Sequence, residues 1–146
     1  MALIGRIFVV LFAFVVASLA ASIVLQIGIW VPFWRGALSP DIDQGVFRVM
    51  VGVGFFFIAL LALLPAIVII AVAEAFRLRS MLFYAAAGAL EALTLCYGIG
   101  LIDDAGGLLG APLAQAFAAA GIVAGLVYWL LAGRNAGRWS EPPVSA

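Results

Sequence analysis

The chain has no histidine, no lysine and a single cysteine, and only 10% of its 146 residues are charged. Each shortage excludes something. Without histidine the chain lacks the commonest metal ligand, a frequent haem ligand and the side chain that ordinarily titrates near neutrality. With Cys96 alone, no internal disulfide can form. A cysteine flanked by apolar residues reads as a small packing residue. The formal net charge is zero, so no overall field favours nucleic acid or another polyanion. There is no nucleotide-binding glycine loop in context and no metal-ligand spacing. These gaps argue against an enzyme and against a cofactor or a metal site.

What the chain does have is apolar surface. Hydrophobic residues make up 68% of it. A soluble domain carries about 45–50% apolar and about 25% charged residues. A chain of this size has too little interior to hide the excess. Its natural solvent is therefore a lipid bilayer, which is also its first partner. A membrane helix needs about 20 mostly apolar residues, and four such runs are present, over residues 3–29, 46–73, 81–101 and 111–132. A barrel would show short segments of alternating polarity instead. The expected fold is an all-α membrane protein, with four transmembrane helices packed as a bundle. One domain spans residues 1–139, and a short disordered tail, "SEPPVSA", covers 140–146.

The first run, "MALIGRIFVVLFAFVVASLAAS", has the basic start and small-residue tail of a secretory signal. The apolar stretch continues through "IVLQIGIW", which is longer than a signal core, so an uncleaved span is expected. Trp30, Pro32 and Trp34 should close this helix with interfacial aromatics and a breaker. Ser39 and Pro40 suit the start of the second span, and Ser80 suits the cap of the third. Gly106, Gly107 and Gly110 mark a flexible loop, with Pro112 in the first turn of the fourth helix. Pro65, inside the second span, should kink it.

Arginine supplies all seven basic residues. Arg6, Arg77, Arg79, Arg134 and Arg138 alternate along the chain with two loops holding Asp41, Asp43, Asp103 and Asp104. Only Arg35 and Arg48 fall on the acidic side. The positive-inside rule then places both termini in the cytoplasm. "AGRNAGRW" at 132–139, continued as helix, would put Arg134 and Arg138 on one face. That face reads as an interfacial anchor for anionic headgroups or as a docking site for a partner.

Lipid tails are as apolar as leucine, so small residues rather than burial pair membrane helices. Ala13, Ala17 and Ala21 form such a stripe on the first helix, with Ser18 and Ser22 beside it. Ala85, Gly88, Ala89 and Ala92 do the same on the third. Gly121 and Gly125 form a G-x-x-x-G pair on the fourth, suited to packing within the bundle or to a homodimer.

One carboxylate stands out. Glu91 lies in "AGALEALTLCYG", near the middle of the third span. An exposed acid there would cost about 2.5–3.5 kcal/mol even on the milder scales. Its helical neighbours are small or partly polar, so it should face the bundle. Candidate partners are Thr94 and Tyr97 on its own helix, Gln26 on the first, Arg48 near the outer end of the second and Gln115 on the fourth. Three roles remain open: fixing helix register, carrying a proton or cation, or meeting a polar group of another subunit or lipid. Glu74, three residues before Arg77, is explained by a local ion pair at the membrane surface.

The stretches "GRIFVVLFA", "LPAIVIIAVAEAFRLRS" with "FYAAAG", and "AAGIVAGLVYWLLAGRNAGRW" resemble short four-helix inner-membrane proteins of alphaproteobacteria. The resemblance implies a bacterial inner membrane. It implies no activity, so no site residue is carried over. The expected role is a non-enzymatic structural or accessory component that packs with itself as a homo-oligomer or with other membrane subunits. The alternative is a small oligomeric transporter or proton-linked carrier using Glu91.

Overall fold

The computed structural model describes residues 2–36, 44–100 and 110–137. They form four long helices: α1 (Ala2–Gly36), α2 (Gln44–Ala75), α3 (Met81–Gly98) and α4 (Gly110–Leu131), followed by a 3-10 turn at Gly133–Asn135. All four are long and apolar enough to cross a membrane. Ser39, Pro40 and the four loop aspartates lie outside the described residues, as do Gly106, Gly107, Arg138 and the tail.

The helices pack in a chain of neighbours: α2 on α1, α1 on α4, and α4 on α3. The fourth seam, between α2 and α3, is sparsely filled. Side-chain size explains the order. On α1, Ala13, Ala17 and Ala21 are buried together with Ser18 and Ser22. On α4, Gly121 and Gly125 lie directly against the α3 backbone. A Cβ on Gly121 would collide with the Gly88 carbonyl oxygen, and one on Gly125 with that of Tyr84. The G-x-x-x-G face of α4 is thus occupied by α3 of the same chain. By contrast, α2 turns Phe56, Phe57, Leu60, Leu64 and Val68 outward, as a lipid-facing helix does.

Three helix ends differ from the sequence expectation. First, α1 continues through Pro32 to Gly36. A proline near a helix end forfeits one internal donor and leaves the remaining turns intact. Second, α3 stops at Gly98, three residues short of 101, with Gly100 in the left-handed region at φ 69°. Third, residues 132–137, the described part of "AGRNAGRW", do not continue as an α-helix. Beyond Leu131 the chain tightens into the 3-10 turn, and Gly137 adopts φ 74°. Elsewhere, α2 runs unbroken past Pro65, and Pro112 lies in the first turn of α4. Ser80 stands at the N-cap of α3 in extended conformation, but its hydroxyl makes no capping bond.

The α2–α3 connection is a Schellman-type stop. Leu78 N–H donates to Ala73 O at 2.8 Å and Arg77 N–H to Glu74 O at 3.3 Å. Arg77 takes the left-handed position, φ 52°, that glycine usually fills.

Candidate functional site

Two polar arrangements stand out, one at a bundle end and one at mid-depth. The first joins the start of α1, the end of α2 and the segment after α4. Arg6 forms a salt bridge to Glu74 Oε1 through Nη2, and its Nε donates to the same oxygen at 2.9 Å. Arg6 Nη2 also donates to Ala132 O at 2.9 Å. Glu74 Oε2 accepts the Gly137 N–H at 2.8 Å. Around this clasp, Arg79 Nε donates to Ala136 O at 3.0 Å and Trp129 Nε1 to Arg79 O at 2.8 Å. Tyr84 donates its hydroxyl to Leu78 O at 3.2 Å, and its ring rests against Gly133.

Glu74 therefore takes a long-range salt bridge, across to α1, which the sequence reading of a local pair with Arg77 did not include. The 3-10 turn has the same cause. Ala132 O and Gly137 N–H are turned toward Arg6 and Glu74, which a continuing α-helix would not permit. A signal for this pairing was present in the sequence. Arg6 and Glu74 are lone charges near the ends of two apolar spans, and antiparallel helices bring those ends to one level.

The second arrangement is a cavity of about 120 Å³ at the centre of the bundle. Ala17 and Ala21 of α1, Ala62 and Ala66 of α2, and Gly88 of α3 all line it. Glu91 lines it too. The void exists because alanines face it from α2 while α3 is drawn toward α4 by the glycine contacts. Toward the clasp, the rings of Tyr84 and Tyr128 stand at its wall with centroids 5.6 Å apart.

Glu91 lies ten residues after Met81 and seven before Gly98. At a rise of about 1.5 Å per residue it is about 15 Å from one end of α3 and about 10 Å from the other. Its Oε1 is buried and accepts no hydrogen bond from any described residue.

The partners expected from sequence are not assembled around it. Thr94 donates to Leu90 O of its own helix at 2.8 Å. Such i−4 back-bonding is the ordinary local choice for a helical threonine. Gln26 donates to Met50 O at 3.2 Å, joining α1 to the start of α2 beside the Ser22 bond to Val51 O at 2.8 Å. Arg48, Gln115 and Tyr97 are exposed, and none of these five lines the cavity. Gln26 is committed to the α1–α2 contact at Met50, and Arg48 stands near the start of α2. Among the described residues, no three of His, Cys, Asp and Glu stand close enough to hold a metal.

Compared with family models, with curated proteins and with solved structures, the chain matches none.

Proposed function

We propose that the protein is a non-enzymatic, multi-pass component of the bacterial cytoplasmic membrane that works by packing with other membrane components. The observation that carries this reading is Glu91. A residue that fixed register inside the bundle would be bonded to a neighbouring helix. Instead its Oε1 is buried beside a cavity with no donor from the described residues. Unsatisfied buried acceptors are expensive, and intramembrane acids are usually completed by a partner. This one is completed from outside the chain.

The arginine distribution supports the orientation. Arg6, Arg79 and the turn after α4 meet at one end of the bundle, with Arg77 in the adjoining α2–α3 connection and Arg134 in the turn itself. That end faces the cytoplasm under the positive-inside rule, and both termini go with it. The resemblance to inner-membrane proteins of alphaproteobacteria agrees with this placement.

The test is isolation from the native membrane in mild detergent, followed by native mass spectrometry. A second component in fixed ratio is the expected result. A lone monomer or a homo-oligomer overturns the heterologous part of the reading. The cavity beside Glu91 favours one alternative in that case, a small carrier, for which Glu91→Gln should abolish flux in liposomes while insertion persists.

A further inference from the structure

The cavity, at about 120 Å³, is of side-chain size. An α-helix with its side chains is about 10–12 Å across, far too wide for a space of about 120 Å³. We propose that a transmembrane helix of a different protein lies along the α2–α3 seam and sends one lysine or arginine into the cavity to pair with Glu91. This rests on the reading above that Glu91 is completed from outside the chain.

Charge complementarity identifies the guest. Apart from Glu91, the polar side chains at the cavity wall are the hydroxyl groups of Ser18, Tyr84 and Tyr128. The Tyr84 hydroxyl is already committed to Leu78 O. A buried carboxyl oxygen without a donor, in apolar walls, matches a cation carried on an aliphatic stem. Lysine and arginine have that form, with apolar methylenes behind a charged head.

The same chain cannot supply the cation. It has no lysine, and all seven basic residues are arginines. Arg6, Arg77, Arg79 and Arg134 belong to one end of the bundle, and Arg48 opens the second span at the other. Arg35 and Arg138 lie beyond the apolar core of the first and fourth spans. A second copy would therefore bring no cation to the depth of Glu91. The partner is a different chain with a basic residue near the middle of a membrane span.

The packing identifies the route. The α3–α4 contact is closed backbone to backbone at Gly88 and Gly121. The α1–α4 contact is closed by buried alanines. At the clasp end, the Tyr84 and Tyr128 rings stand across the cavity wall. The α1–α2 contact is bridged by Ser22 to Val51 O and Gln26 to Met50 O, which leaves the thinly packed α2–α3 seam.

The experiment uses the full chain in lipid nanodiscs. Two synthetic Leu/Ala helices of about 20 residues are titrated by energy transfer, one with a central lysine and one with methionine there. The lysine helix should associate about tenfold more tightly than the methionine helix. Glu91→Gln should remove that preference without changing the methionine-helix signal. Ala62→Leu, which fills the cavity from α2 and leaves Glu91 in place, should remove it as well. Equal association of the two helices with the parent protein overturns the proposal, and so does a lysine preference that survives Glu91→Gln.

Octylammonium and octanol, titrated in parallel, separate this proposal from the reading beneath it. If octylammonium binds in preference to octanol in a Glu91-dependent way while the helices do not differ, the guest is a small lipophilic amine. The helix proposal then falls and external completion of Glu91 stands. If neither amine nor lysine helix distinguishes the parent from Glu91→Gln, both fall.

Discussion

At the scale of single residues, two carboxylates of one chain have opposite fates. Glu74 receives donors from Arg6 and from the Gly137 backbone. Glu91 leaves one oxygen buried and without a bond from the described residues. Their substitutions should therefore differ in sign. Arg6→Ala removes the salt-bridge partner of Glu74 and releases Ala132 O, and should cost about 1.5–3 kcal/mol, the range for hydrogen bonds to charged groups. Thermal unfolding in detergent measures it. The double variant Arg6→Met with Glu74→Leu should lose less than the two single losses combined, because neither charge is then left alone. Glu91→Leu removes an unsatisfied acceptor and should raise stability by about 1–3 kcal/mol in the isolated protein. A loss of stability on Glu91→Leu would mean that the acid has an internal partner after all.

At the scale of elements, helix packing follows the small residues. The four spans and their order were legible from apolar run length. So were the buried alanine stripe on α1 and the glycine pair on α4. What α4 packs against was not legible, because a G-x-x-x-G face suits a neighbour in the same chain as well as one in another copy. Contact between Gly121 and Gly88 decides this in favour of α3. Gly121→Val should therefore separate α3 from α4 at a cost of about 1–3 kcal/mol, the usual range for overpacking. Leu64→Ala, at a position 76% exposed on α2, should stay within about 0.5 kcal/mol. Unfolding by denaturing detergent titration compares the two. Equal effects would place the α3–α4 contact elsewhere.

At the scale of the whole molecule, an even number of antiparallel spans brings the start of α1, the α2–α3 turn and the segment after α4 to one end. The clasp of Arg6, Glu74, Ala132 and Gly137 ties that end together. The bundle is thus closed at the clasp and thinly packed along one side, the α2–α3 seam. Because arginines accompany the clasp, a phosphatase reporter fused after Ala146 should be silent and a cytoplasm-active reporter at the same site should be bright. The reverse pattern would invert the molecule and place the clasp outside.

The sequence by itself determined the four long apolar helices and the alternation of charge along the chain. These depend on run length and composition, which need no knowledge of contacts. It also singled out Glu91, since one acid in an apolar span is visible without coordinates. It could not decide the acid's partners. Thr94 and Gln26 were plausible by residue type, yet their bonds go to Leu90 O and Met50 O. A backbone carbonyl near at hand competes with any distant carboxylate. Only the tertiary structure could pair Arg6 with Glu74, because 68 residues separate them along the chain and helix docking alone brings them together. Only it could leave a cavity beside Glu91, because that void depends on which two helices the glycines draw together and which two they leave apart.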